Sequence, residues 1–218
     1  MINTTPTKAL DEPFSEVIFS SGELIIAQCY KEAKVPQKDA ISTIQGSIVK
    51  VISSYDNSHI AFGLVAKINN SSLDNIHKPS ALGLRQEELI QLQPQVYDLL
   101  RKELEICLFA HLDKKGQITN YPPPKPLTIH DFVYIANEEE LLKLTNDLSN
   151  LIGIIKKNNL KPDLLLEPIS QGYKLRNNNY SYLVKTSQYL ASTFSDDIEP
   201  LIQVLKRISE ISKNKTCN

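Results

Sequence analysis

The sequence predicts an α+β protein, in which a small N-terminal β-barrel with an inserted helical segment is followed by an all-helical C-terminal region. Three observations carry this reading. Runs rich in β-branched and aromatic residues, broken by turn-formers, fill much of the chain up to Ala136. After Ala136 the apolar residues recur at three- and four-residue steps. At that change Asn137 and Glu140 stand three apart, the spacing of a capping box. The expected organisation is a flexible N-terminus over 1–14, a barrel over 15–136 with a helical insertion at about 75–103, and a helical domain over 137–218.

Each element has its own signal. Val17–Tyr30, Gly46–Tyr55 and His59–Ile68 read as strands, set apart by a polar loop near Lys34–Asp39 and by the turn Asp56-Asn57-Ser58. Ile48 and Lys50 should face one side of their strand, Val49 and Val51 the other. Gly46 and Gly63 sit at or inside strands, where glycine marks a bulge or tight bend, so a small barrel fits better than a flat sheet. Residues 69–84 read as a polar connection to a helix at about Arg85–Glu103, with Leu89, Leu92, Val96, Leu99 and Leu100 on one face. Pro94 predicts a kink or a break there. Strands resume at Leu104–Leu112, turn at Asp113–Gly116, pass the stiff Tyr121–Pro126 segment and end at Asp131–Ala136.

In the helical part, Asn137 and Glu138–Glu140 start a helix whose buried stripe is Leu141, Leu144, Leu148, Leu151, Ile152 and Ile155, ending near Lys156–Asn159. Asp196 and Glu199 start the last one, with Ile198, Leu201, Ile202, Leu205, Ile208 and Ile211 as its apolar positions. Between them, Asp163–Ser170 and Tyr180–Phe194 read as two more helices around an Asn177–Asn179 turn.

Composition narrows the function classes. Twenty-four Lys and Arg against 25 Asp and Glu give a net charge of -1, which disfavours a protein built to neutralise phosphates. Three widely spaced cysteines, Cys29, Cys107 and Cys217, form no closed disulfide framework and point to a reducing compartment. Met1–Asp11 lacks the apolar run of a secretory signal, and nowhere do 18 apolar residues follow one another. His59, His77, His111 and His130 have no close metal-ligand spacing, so neither metal nor cofactor is expected. Cys29 and Cys107 read as small core residues within strands. Ser20, Ser21, Ser71 and Ser72 read as loop residues without a nucleophile elbow, so no catalytic residue is assigned. Glu87, Glu88 and Glu138–Glu140 fit helix starts better than paired catalysis.

One stretch interleaves cations with aromatics: Tyr173, Lys174, Arg176, Tyr180, Tyr182, Lys185 and Tyr189. It is the candidate partner surface. Such a pattern can anchor a protein or stack bases and track phosphates, while the plainer reading is a partly buried helix with tyrosine hydroxyls at its rim.

Gly46-x-Ile-x-Lys-Val, His59-Ile-Ala-Phe-Gly-Leu-Val and Tyr121-Pro-Pro-Pro-x-Pro…Val133-Tyr-Ile-Ala-Asn-Glu-Glu-Glu-Leu resemble the HAS barrel of HerA-type DNA translocases and rotary ATP synthase catalytic subunits. The resemblance covers roughly residues 15–144. The run Asn69–Leu100, with Ser72-Leu-Asp and Lys78-Pro-Ser-Ala-Leu-Gly, is similar to uncharacterised cyanobacterial and red-algal plastid proteins. No Gly-x-x-x-x-Gly-Lys-Ser/Thr loop accompanies it, and the residues after the barrel are too few for an ATPase core. In those ATPases, the resemblance implies, the barrel is a collar through which subunits meet. A barrel without its motor is expected to be a non-enzymatic assembly or docking module, with a protein partner in a large photosynthetic or energy-transducing complex. It would act in the cytoplasm, or in the plastid stroma peripheral to a thylakoid complex, and a homo-oligomer is compatible with it. The alternative is a single-stranded nucleic-acid-binding accessory protein.

Overall fold

Alternation along each strand decides how the chain closes on itself. The computed structural model describes residues 12–31, 43–73, 80–194 and 198–213. Among these, the strands are β1 (Ser15–Ser21), β2 (Leu24–Cys29), β3 (Ile48–Ile52), β4 (Ile60–Ser72), β5 (Leu100–Leu112), β6 (Ile118–Thr119) and β7 (Phe132–Ile135). Neighbours run antiparallel in the order β2-β1-β7-β3-β4-β5-β6, and β2 also pairs with β5. That last pairing closes six strands into a barrel and leaves β6 as a flap on β5. Val17, Ile25, Val49, Val65, Ile106 and Val133, one from each of the six, fall in a single buried cluster. Only the barrel interior brings all six together.

The opposite faces of β3, β4 and β5 are buried as well. Ile48, Phe62, Leu64, Cys107 and Phe109 share a second cluster with Leu144, Leu151, Ile155, Leu165, Ile169, Leu190 and Val204 from the helices. Those helices are α3 (Glu138–Leu144), α4 (Ser149–Lys157), α5 (Leu166–Leu175), α6 (Tyr180–Thr193) and α7 (Ile198–Lys213), with a 3₁₀ turn over Pro162–Leu165. The helical segment therefore packs on the outer barrel wall, and the two share one continuous core. Two polar ties reinforce the contact. Lys50 of β3 donates to Glu140 Oε1 at 3.0 Å, and Lys157 of α4 to Glu23 in the β1–β2 turn at 2.6 Å.

The two glycines singled out in the sequence stand at close approaches. Gly46 has φ +89°, and a Cβ there would lie 2.5 Å from the Leu164 carbonyl oxygen of the 3₁₀ turn. Gly63 sits where the β4–β5 register shifts, and a Cβ would meet Ile106 Cγ2 at 2.3 Å. Ile48 and Val49 divide between the two clusters, as alternation requires. Asn137 Oδ1 accepts from the Glu140 amide and Glu140 Oε2 from the Asn137 amide, both at 2.8 Å, which completes the capping box.

Several expectations are corrected. The helix over Arg85–Glu103 is instead α1 (Gln86–Leu92) and α2 (Pro94–Leu99), with β5 already begun at Leu100. Pro94 supplies the break, as the first residue of α2. The residues 69–72 belong to β4, not to a connection, because Asn69–Ser72 pair with Leu100–Glu103 in a two-stranded ribbon. Ser71 and Ser72 are thus strand residues, and so are Ser20 and Ser21. The single helix expected after Asn137 breaks between α3 and α4: Thr145 turns its hydroxyl onto the Leu141 carbonyl, and Asp147 accepts from the Ser149 amide. All six residues of its stripe are nevertheless buried. In α7, Ile198 and Ile202 are exposed and Val204 takes a core place instead. The Lys34–Asp39 loop, His77, Asp196, Cys217 and the residues 1–11 lie outside the described residues.

Candidate functional site

The seven residues of the basic-aromatic stretch do not form one surface. Tyr173, on α5, is 5% exposed and belongs to the core. Arg176 turns inward at the end of α5, donating to Gly172 O (2.9 Å), Thr145 Oγ1 (3.0 Å) and Leu142 O (2.8 Å), with its guanidinium 4.5 Å from the Tyr182 ring centroid. Its role is to cap carbonyls of α5 and α3. Tyr182 is half-buried, and burial raises its phenol pKa against the opposing pull of Arg176. Lys174, Tyr180, Lys185 and Tyr189 remain exposed. A cleft of about 620 Å³ over the α3–α4 break brings Arg176, Tyr182, Lys185 and Tyr189 together with Asn146, Asp147 and Ser149. Tyr173, Lys174 and Tyr180 do not line it.

A second concavity, of about 720 Å³, was not foreseen. It lies between the β4–β5 ribbon and the α1–α2 arm that connects the two strands. Leu89 and Tyr97 of the arm and Leu100 of β5 supply its apolar lining, with Cys29, Lys31, Arg101, Lys102 and the strand residues Asn70–Ser72 around them. Lys31 holds the arm in place: its ammonium donates to Asp98 Oδ1 at 3.0 Å and Tyr97 O at 3.2 Å, and lies 5.1 Å from the Tyr97 ring centroid. Burial pushes the Cys29 thiol up to about 11, against the pull of Lys102, so it is a poor nucleophile at neutral pH.

The arm has defined ends but no packed face. The Arg85 amide donates to Glu88 Oε2 at 2.7 Å at the start of α1, which accounts for the Glu87-Glu88 pair. No residue of α1 or α2 is buried. Ile90, Leu92, Leu99 and Leu100 are 42%, 63%, 39% and 39% exposed. The periodicity of Leu89, Leu92, Val96, Leu99 and Leu100 was visible in the sequence, but periodicity says only that apolar residues share a face, not that anything covers it.

The other titratable groups serve the barrel. His59 Nε2 and His111 Nδ1 meet backbone carbonyls of Lys125 and Tyr121, and His130 pairs with Glu16, which also accepts from the Tyr30 hydroxyl at 3.0 Å. Burial, followed by the Glu16 hydrogen bond, pushes the Tyr30 phenol up to about 12. Asp131, fully buried, accepts from Ser54 and Thr128. Among the described residues no three His, Cys, Asp or Glu side chains are grouped to hold a metal, and no helix is long and apolar enough to cross a membrane. No family model matches the chain, and no curated protein matches it.

Proposed function

We propose that this chain is a non-enzymatic protein-binding or assembly module. The observation that carries the reading is the α1–α2 arm, two helices of seven and six residues without one buried side chain between them. Helices this short gain little from propensity alone, and burying an apolar face is their usual source of stability. Here the arm is fixed at its base by Lys31 and Asp98 while its Ile90, Leu92 and Leu99 face solvent. An apolar patch presented in this way suits a partner surface. The HAS-barrel resemblance supports the same role: a barrel of this type, carrying helices in place of a motor, would act as a docking collar. It also directs the search for a partner to photosynthetic or energy-transducing complexes of cyanobacteria and plastids.

Affinity purification of the tagged full-length chain from its native organism tests the proposal. The wild type should co-purify a protein partner, and the Ile90→Ser/Leu92→Ser variant, folded by circular dichroism, should lose it. Recovery of free monomer alone, or of the same partners with both proteins, removes the reading. Nucleic-acid binding has less support, since Tyr173 and Arg176 are engaged inside the fold. Salt-dependent oligonucleotide binding lost on Lys174→Glu/Lys185→Glu would restore it.

A further inference from the structure

The charged residues that line the arm groove are of one sign. Lys31, Arg101 and Lys102 line it, and among the described residues no aspartate or glutamate does. Lys31 is neutralised by Asp98 at the rim. Arg101 donates from Nη1 to the Asp98 and Leu100 carbonyls, at 2.7 and 2.8 Å, and among the described residues its charge meets no carboxylate. Lys102 has no ion-pair partner among the described residues, although it lies near enough to Cys29 to pull on its thiol. The chain as a whole is almost neutral, so this local excess is not a reflection of general basicity. The apolar part of the lining, Leu89, Tyr97 and Leu100, adjoins the cations within one concavity.

We infer that this groove takes an acidic amphipathic segment of a partner protein, its apolar side chains seated against Leu89, Tyr97 and Leu100 and its carboxylates against Arg101 and Lys102. The inference rests on the protein-binding reading above and names the partner's chemistry. Apolar burial supplies attraction, and the unpaired cations choose the sign of the segment and speed its approach. An anionic membrane surface shares the charge but not the shape. The cations line a concavity between the arm and the β4–β5 ribbon, which an inserted segment can enter and a flat headgroup layer would meet only at its rim.

The test uses the full chain and two fluorescein-labelled synthetic helical peptides with one leucine pattern, the polar positions glutamate in one and lysine in the other. Anisotropy titrations at low salt should show the glutamate peptide binding about tenfold more tightly, roughly 1.4 kcal/mol, with the preference shrinking as salt rises. Lys102→Glu should weaken that preference, and Arg101→Glu/Lys102→Glu should abolish it with the far-ultraviolet circular dichroism unchanged. Equal binding of the two peptides overturns the inference, as does a preference that survives both substitutions. Binding to phosphatidylglycerol vesicles, lost in the double variant, would assign the cations to a membrane instead. If both peptides bind equally and both are lost in Ile90→Ser/Leu92→Ser, the protein-binding reading stands and only the charge selection fails. If neither peptide binds, the charge selection fails too, and the native purification decides the broader reading separately.

Discussion

Replacing Asp131 by alanine removes the carboxylate that ties the loop after β3 to the loop before β7. Asp131 is 0% exposed. Its Oδ1 accepts from the Ser54 amide at 2.8 Å, the Ser54 hydroxyl at 3.2 Å and the Thr128 hydroxyl at 3.1 Å, and its Oδ2 from the Thr128 amide at 2.7 Å. The two hydroxyls belong to exposed residues and can turn to water, so they count for little. The two amide bonds are short and charge-assisted, and each such bond contributes about 1.5–3 kcal/mol. Partial rehydration of the freed amides lowers their sum, which leaves an expected loss of about 2–4 kcal/mol. That is a large part of the about 5–15 kcal/mol that holds a typical domain. Urea unfolding followed by circular dichroism should show a lower midpoint with unchanged slope. Asp131→Asn, which keeps one acceptor for Ser54 but sets an amide against the Thr128 N–H, should fall between. A loss under about 1 kcal/mol for Asp131→Ala would refute the assignment of this carboxylate as the tie.

Three further outcomes follow from the packing and the charges. Gly63→Ala places a methyl 2.3 Å from Ile106 Cγ2 at the β4 register shift, and should destabilise the chain by about 1–3 kcal/mol in the same urea assay; a neutral result would mean the shift can move. The hydrogen bond from His130, aided by that from Tyr30, holds the Glu16 carboxyl below its ordinary value against the upward push of burial. A depressed carboxylate stabilises fully above its unfolded pKa and less as pH falls through the folded one. Glu16→Gln should therefore flatten the fall in urea midpoint between about pH 5 and 3, and parallel wild-type and variant curves would contradict this. Lys50 and Glu140 are mostly buried, with 17% and 19% of their side chains exposed, so a double-mutant cycle to alanine should give a coupling of about 1 kcal/mol. Glu140→Ala alone should cost more than Lys50→Ala, because Glu140 also caps α3.

The elements that were legible in the sequence are those whose signals are local. Asn137 and Glu140 fix the start of α3 by a hydrogen-bond pair spanning three residues. The Asn177–Asn179 turn shows in side chains that tolerate positive φ, as Asn177 and Asn178 do at +53° and +58°. The polar end of β4 was not legible, because its strand character comes from residues some thirty positions away that pair with it. For the same reason the stripe on α1 and α2 could be read but not its lack of cover. At the basic-aromatic stretch, residue type placed cations beside tyrosines correctly along the chain, while the fold turned Arg176 and Tyr173 inward and left Lys185 and Tyr189 at the cleft. The groove beside the arm joins Lys31 to Arg101 and Lys102 across the ends of β2 and β5, a neighbourhood that no local pattern announces.

The closing of the barrel by β2 against β5 also sets an order of assembly. β1 and β2 can form their hairpin as soon as the chain reaches Cys29, but the hairpin's remaining partners are Glu103–Cys107 on one side and Phe132 and Val133 on the other. During synthesis Val17, Ile25 and Ala27, all fully buried at the end, must wait for about a hundred further residues before the interior that covers them exists. The β3–β4, β4–β5 and β2–β5 ladders all become available before β7 is made, so the first strands made are among the last to be enclosed. A chain halted before β7 would hold an unclosed sheet whose apolar inner face is open to other chains.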